Sequence, residues 1–486
     1  MIAATIPWTR LDPGNPLARA YLVEPERVLP LFAADYRDPK RLRPLVAAQR
    51  ARRRPALADA LVAYNRDVGG SVENAARADE ALCVVSGQQA GLLLGPAYTT
   101  YKLFTCIAAA RVLAEELGEP VIPVFWVESE DHDWDEVNRF DLPARRYKLE
   151  AEVAPGTPVA DVEVDPAPLL DLLKQELGEG EAWSLVEPER RVARWHVRNL
   201  ARLVAGSGVV FVEPHLLREP LRPFVERVAK SSDAIDASVR AETGFPKRLE
   251  PPAGAYLFDA TSGRRRRLGR GESAPARWSC DVVSRVLLQN AAFAPLLAVC
   301  GPSEIQYWAQ LRRAHEALEV PMPGVLPRNA ATLVEAGPMR DAAKLGVSLE
   351  EVVLGTAKPP EGSGERDPVA ERLDRIAEEA SSILRALGDG SLGLPANTEK
   401  PFRRTVVRLE EDLRRLSGRL DEARAEMSGV GRKRFERLLE TLRPRGGLQE
   451  RTLSLFPFLL RNGADLARRL RDAFDPFEFG HYIVTP

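Results

Sequence analysis

The sequence predicts an α/β protein, a parallel-sheet core joined to an α-helical coiled coil, on three observations. A buried-strand pattern, a Gly-rich stretch, an amphipathic helix and a second buried strand follow one another between residues 81 and 127. Directly after that strand comes ESEDHDWDEVN at 128–138, a dense run of Glu, Asp, His and Trp. Beyond residue 368 apolar residues recur in alternating steps of four and three, which is the seam of a coiled coil.

Ala81 to Val85 is a continuous apolar run of the kind buried in parallel sheets. After the loop SGQQAGLLLGP, the residues Leu103, Ile107, Ala110, Ala114 and Leu117 form one face of a helix that Gly118 stops. Val121 to Val127 is the second strand. Strand, helix and strand make a βαβ unit with a right-handed crossover, hence a parallel sheet. In such sheets ligands collect beyond the carboxyl ends of the strands, where both the Gly-rich turn and the acidic run fall. Further on, VVFVEP at 209–214 reads as another buried strand, and the Arg/Gly segment 262–272 as an exposed turn. Ala298 to Cys300 ends a short strand, and Ser303 is placed to cap the helix that carries Glu304, Tyr307 and Trp308.

The segment TAKPPEGSGERDP at 356–368 has the composition of a linker. Past it, Val369, Leu373, Ile376, Ala380, Ile383 and Leu387 make one stripe; Phe402, Val406, Leu409, Leu413, Leu416, Leu420, Ala423 and Met427 make the other. A third, shorter helix is expected around Phe435, Leu438 and Leu442. So long a seam wants a long partner, and self-association is the reading favoured over a purely intrachain bundle. The C-terminal segment from 446 is apolar and aromatic enough to pack back onto the core.

Composition narrows the function classes. The chain has 486 residues, 45% hydrophobic and 28% charged, with a formal net charge of -2, so no basic field invites a nucleic-acid partner. The Arg-rich patches at Arg52 to Arg54 and Arg264 to Arg267 read as solvated faces. No apolar run reaches the ~18 residues of a membrane span, and the N-terminus lacks the charged and apolar regions of a signal peptide. Cys83, Cys106, Cys280 and Cys300 form no C-x-x-C pair, and the expected compartment is the cytoplasm.

Three groups of residues are candidates for chemistry. Gly87, Gly91 and Gly95 let backbone N–H groups approach an anion at a helix start, with Gln88, Gln89, Tyr98, Thr99 and Lys102 close by in sequence. The alternative is that the glycines serve turn geometry and that Lys102, read as lying in the first helical turn, points to water. In the acidic run, His132 between Asp131 and Asp133 has the pattern of a general base oriented by a carboxylate. The same run fits a Mg²⁺ site or an acid-rich helix start. The third group is Gly301, Glu304, Tyr307 and Trp308 with Arg285, Gln289 and Arg328, whose guanidinium groups suit carboxylates. Surface ion pairs and a core Trp are the plainer account of that group. His196, His215 and His315 read as structural or exposed, and His481 stays open.

SGQQAGLLLGPAYTTYK, ESEDHDWDEVN, GPSEIQYWAQL, MPGVLPR and the ending FDPFEFGHYIV, in that order, resemble the cysteine-adding family of bacillithiol biosynthesis. The resemblance covers nearly the whole chain and is least distinct over 141–280. It implies a Rossmann-like core over 1–365 with connecting segments inserted at about 141–280. It further implies a coiled-coil domain over 366–445 used for dimerisation, and a C-terminal segment over 446–486. The implied activity adds cysteine to glucosaminyl malate, forming an amide. Ser86 stands where family members commonly have Thr, which keeps the hydroxyl.

Amide formation from a free carboxylate needs an activated acyl group, so the expected cofactor is ATP or another nucleotide; the metal requirement stays open. Gly87, Gly91, Gly95, Thr99 and Lys102 are the expected phosphate cradle. His132 with Asp131 or Asp133 is the expected base. Gln88, Gln89, Tyr98, Trp126, Glu130, Arg285, Glu304, Tyr307 and Arg328 are the expected substrate contacts. The expected partners are cysteine, glucosaminyl malate and a second copy of the chain, with no nucleic acid and no membrane. The rival readings are a nucleotidyltransferase or metal-dependent hydrolase on the same core, and a non-catalytic scaffold acting through its coiled coil.

Overall fold

Five parallel strands carry the core, in the order Gly324–Pro327, Pro295–Cys300, Leu82–Gln89, Val121–Glu128, Val210–Val212. The computed structural model describes residues 2–52, 54–359, 368–388 and 396–486, without the side chains of 387–388, 396–397 and 423–429. Most of the linker at 356–368, and the seam side chains of Leu387, Ala423 and Met427, lie outside the described residues. The chain divides into two compact units, Met1–Glu335 together with Pro444–Pro486, and Ala336–Arg443.

In the first unit, the strands Leu82–Gln89 and Val121–Glu128 are buried along their apolar lengths, because helices cover both faces of a parallel sheet. The helix Ala97–Leu117 connects them and ends at Gly118, whose φ of 67° an L side chain adopts only with strain. From Leu82–Gln89 the chain runs outward to Val121–Glu128 and Val210–Val212, and later returns to build Pro295–Cys300 and Gly324–Pro327 on the opposite side. The strand order therefore reverses between Leu82–Gln89 and Pro295–Cys300, the place where open α/β sheets form their ligand crevice.

Two expectations change here. The first strand extends to Gln89, so Gly87 is a strand residue paired with Trp126 rather than part of a loop. A Cβ on Gly87 would lie 2.9 Å from the Trp126 carbonyl oxygen, so glycine is required by close strand contact. The helix begins at Ala97, which puts Lys102 in its second turn instead of its first.

Three smaller sheets complete the unit among the described residues, the least of them the antiparallel pair Arg139–Asp141 and Arg146–Lys148. The C-terminal strand Gly480–Val484 lies between Ile2–Pro7, antiparallel, and Ala330–Leu333, parallel. Leu257–Asp259 pairs with Arg266–Arg267 and with Trp278–Cys280. The helices Leu453 leads into, Phe456–Asn462 and Leu466–Ala473, pack Phe456, Leu459 and Leu470 into the same apolar cluster as Leu92, Leu93 and Leu94.

In the second unit the helices Pro368–Gly388 and Ala396–Leu442 pair. The separate third helix expected near Phe435 is absent: 47 residues run as one helix, about 70 Å at 1.5 Å per residue. Gly429 and Gly431 cost only about 1 kcal/mol each against Ala, too little to break so long a run of helix formers. The stripe also divides. Ala370, Ala377, Ala380 and Val406 are buried, whereas Val369, Ile376 and Ile383 on one helix and Phe402, Leu409, Leu416 and Val430 on the other are exposed. No helix among the described residues is long and apolar enough to cross a membrane.

Candidate active site

A cavity of about 330 Å³ opens at the carboxyl ends of the core strands, over the point where their order reverses. Leu82–Gln89 delivers Gly87, Gln88 and Gln89 to it, and Val121–Glu128 delivers Glu128. Gly301 to Glu304 follow Pro295–Cys300, and Arg328 follows Gly324–Pro327. The helix Ala97–Leu117 contributes Tyr98 and Lys102, and the helix Val282–Ala292 contributes Arg285.

Lys102 is the hub. Its Nζ donates to the Gly87 carbonyl and to Gln88 Oε1, both at 2.9 Å, and lies 2.5 Å from Glu304 Oε2. That oxygen also accepts the Gly301 N–H at 2.7 Å, so Gly301 caps the helix Pro302–Trp308, with Glu304 reaching back, instead of Ser303. Burial pushes the Lys102 ammonium below its ordinary pKa, and the Glu304 carboxylate opposes that push. Gln88 turns its amide N–H to Tyr98 Oη at 3.1 Å, and burial raises that phenol to about 12. The ammonium thus locks the first strand to the helix that follows the fourth.

Two guanidinium groups face the same cavity, Arg285 partly buried and Arg328 buried. Arg285 donates to Tyr307 Oη at 2.8 Å and has its Nε 3.9 Å from Glu128 Oε2. Arg328 lies 5.6 Å from the Tyr98 ring centre and forms a buried pair with Glu450 at 2.6 Å. The cavity is lined by five cations, Lys102, Arg265, Arg285, Arg328 and Arg451, against four carboxyl groups, Glu128, Asp131, Asp281 and Glu304. It suits a ligand that is anionic on balance.

The acidic run does not form one cluster. Asp131 reaches the cavity, where Gln89 Nε2 donates to it and Arg265 Nη1 lies at 3.2 Å. Glu130 is buried beside Arg218, and Asp133 caps the short helix Trp134–Val137 by accepting the Glu136 N–H at 3.2 Å. His132 is 46% exposed and outside the cavity lining. Its Nδ1 accepts from Arg265 Nη1 at 3.0 Å and lies 3.4 Å from Asp131 Oδ1, so imidazole, guanidinium and carboxylate meet beside the cavity. Trp126 is buried under the cavity and donates from Nε1 to Glu128 Oε2 at 3.0 Å. The short turn after the strand points successive side chains to different surroundings, which spacing alone does not show.

Gly91, Gly95 and Thr99 belong to a second, adjoining cavity of about 260 Å³ that shares Gln88, Gln89, Tyr98 and Arg451 with the first. It surrounds the start of the helix Ala97–Leu117 and is lined by Arg139, Arg146, Arg445 and Arg451 against Glu136 and Asp141. Gly95 has φ +67°, and Thr99 Oγ1 is buried without a hydrogen-bond partner. An unpaired buried hydroxyl at a helix start, amid guanidinium groups, fits an anion such as a phosphate.

Several lining residues were not singled out from the sequence. Arg265 sits in the run taken as solvated, yet its side chain is only 5% exposed. It lies 4.1 Å from the Phe258 ring centre and donates to the Cys280 carbonyl. Asp281, which caps the helix Val282–Ala292, and Arg451 also line the cavity. The Arg/Gly composition of 262–272 was the available signal for Arg265; nothing in the local sequence marked Arg451. All four cysteines are buried and free, and burial raises each thiol above its ordinary range, which disfavours a thiolate nucleophile from the chain itself. Among the described residues no group of three or more His, Cys, Asp or Glu is placed to hold a metal ion.

Residues 1–272 and 265–329 match the family described as Bacillithiol biosynthesis BshC, N-terminal Rossmann-like domain. Residues 331–486 match the BshC C-terminal coiled-coil domain. The chain belongs to the BshC family. Three BshC relatives, each bearing the name "Putative cysteine ligase BshC", align along most of its length. That of Symbiobacterium thermophilum is 30% identical over 98% of this chain and 98% of its own. Those of Anoxybacillus flavithermus and Staphylococcus aureus are 28% and 26% identical, over 86% and 89% of this chain and 88% and 91% of theirs.

Proposed function

We propose that this chain is a cysteine ligase of bacillithiol biosynthesis, joining the carboxyl group of cysteine to the amine of glucosaminyl malate as an amide. One observation carries the reading. Two guanidinium groups, the partly buried Arg285 and the buried Arg328, share a cavity with Glu128, a carboxyl group that no cation hydrogen-bonds. A malyl group brings two carboxylates and the sugar brings one ammonium, so the ligand complements the charges on the walls. The names of the BshC relatives point the same way.

The second cavity is the place for a nucleotide phosphate. The helix start, Gly91, Gly95, Thr99, Arg139 and Arg451 would hold it, and a nucleotide there would supply the activation that a carboxylate needs before it can be acylating. Lys102, committed to Glu304 and Gln88, orders the wall between the two cavities. The exposed apolar positions of the coiled coil recur every seven residues, at 369, 376 and 383 and at 402, 409 and 416, which supports a homodimer built on that stripe.

A thiol profile tests the activity. Cells lacking the gene are expected to lose bacillithiol and accumulate glucosaminyl malate, read by fluorescent labelling with mass detection. Unchanged levels of both would overturn the reading. Pyrophosphate release from ATP without an amide product would instead favour a nucleotidyltransferase on this core.

A further inference from the structure

Four carboxyl groups line the larger cavity, and three of them carry a contacting cation. Asp281 uses Oδ1 to accept the Val283 and Ser284 N–H groups at 3.0 Å, and its Oδ2 lies 3.0 Å from Arg267 Nη1. Asp131 holds Arg265 at 3.2 Å and the His132 N–H at 2.8 Å through Oδ1, and accepts from Gln89 through Oδ2. Glu304 is neutralised by the Lys102 ammonium at 2.5 Å. Glu128 differs. Its Oε2 accepts from Trp126 Nε1, a neutral donor, and Arg285 Nε stays at 3.9 Å, too far for a hydrogen bond. Among the described residues no hydrogen bond reaches its Oε1.

A largely desolvated carboxylate that no cation hydrogen-bonds is costly to keep charged, and the cost is relieved when a cationic ligand arrives. The indole of Trp126 fixes one oxygen and leaves the other for the cavity. We propose that Glu128 binds the primary ammonium of the acceptor substrate and takes its proton before the amide bond forms. This rests on the ligase reading above. The ammonium gives one proton to Glu128. The freed nitrogen lone pair forms the C–N bond to the carbonyl of an activated acyl donor, an acyl phosphate or acyl adenylate. The C–O bond to the phosphoryl oxygen breaks, and the pair leaves with the phosphate group. The nitrogen sheds its second proton to water, and Glu128 later returns its own to solvent.

The groups that face Glu128 set its titration. Arg285 comes from the helix Val282–Ala292, Arg265 from the Arg/Gly turn, Asp131 from the turn after its own strand, and Cys280 from the strand Trp278–Cys280. Burial pushes the Glu128 carboxyl above the usual carboxylate range, while Arg285 and the Trp126 hydrogen bond pull it back. The active form is the carboxylate, so the rate rises with pH through that raised value.

The test compares the full-length protein with Glu128→Gln, which keeps the volume and an acceptor for Trp126. Binding of glucosaminyl malate and of free malate, which lacks the amine, is read by calorimetry, and the cysteine adduct by mass detection across pH. Glu128→Gln is expected to lower amide formation by about 10²- to 10⁴-fold. It should weaken glucosaminyl malate, leave malate binding unchanged and remove the acid limb of the pH profile. Equal rates and affinities in Glu128→Gln would overturn the inference and leave the ligase reading standing. A wild-type protein that binds neither compound would overturn both. Glu128→Asp, which keeps the charge, is expected to retain the preference for glucosaminyl malate over malate, and supplies the same comparison if Glu128→Gln does not fold.

Discussion

Arg328 and Glu450 stand 122 residues apart in sequence and 2.6 Å apart in space, both buried. Glu450 also accepts the Ala331 N–H at 2.9 Å, so one carboxylate from the C-terminal segment holds a cavity arginine and the start of a strand in the small sheet. The C-terminal segment therefore aims a guanidinium into the candidate active site as well as completing the fold.

Removing Glu450 leaves Arg328 charged and unpaired in the interior. Glu450→Ala is expected to cost about 3–5 kcal/mol of stability, read from the denaturant midpoint, and to weaken malate binding. Burial alone would raise the Glu450 pKa, but the Arg328 charge and the Arg328 and Ala331 hydrogen bonds outweigh it and hold the carboxyl below its ordinary value. Because the folded value lies below the unfolded one, about 4.3, its contribution is present above that pH. It is lost as pH falls through the folded value. Wild type should therefore lose stability in acid more steeply than Glu450→Gln; parallel curves would contradict the assignment.

Lys102 orders three elements from one buried atom. Lys102→Met removes the ties to Gly87, Gln88 and Glu304 together, and a displacement of about 1 Å at a reacting centre can cost 10²-fold in rate. Loss of adduct formation on that scale is expected, with the fold preserved by circular dichroism. Activity near that of wild type would show that the hub is purely structural.

The geometry separates His132 from Arg265. His132→Gln should leave adduct formation within a few-fold of wild type, since the ring lies outside the cavity. Arg265→Met should reduce it strongly, because that guanidinium holds Asp131 and the Cys280 carbonyl. The reverse order would support the general-base role of the imidazole.

On the coiled coil, Leu409 is 50% exposed and Leu416 49%. Placing Glu at both positions puts charge on the stripe that the proposed second copy covers. Sedimentation is expected to shift from dimer to monomer without loss of helix content by circular dichroism. A wild-type chain that sediments as a monomer would remove the dimer reading.

The sequence by itself determined the βαβ unit, the parallel core and the long helical pair, because apolar periodicity reports which faces must leave water, and that is a local property. It also placed Gly87, Gln88, Tyr98, Lys102, Asp131, Arg285, Glu304, Tyr307 and Arg328 among the candidates, and all of these line one cavity. Only the tertiary structure decided their companions. Arg265 and Arg451 arrive from distant segments. The dispersal of Glu130, His132 and Asp133 follows from the path of one turn. Pairing depends on which segments meet, and meeting is governed by packing across hundreds of residues. Hence Lys102, expected to await an anion, is bonded to Glu304, while the carboxyl that no cation hydrogen-bonds is Glu128.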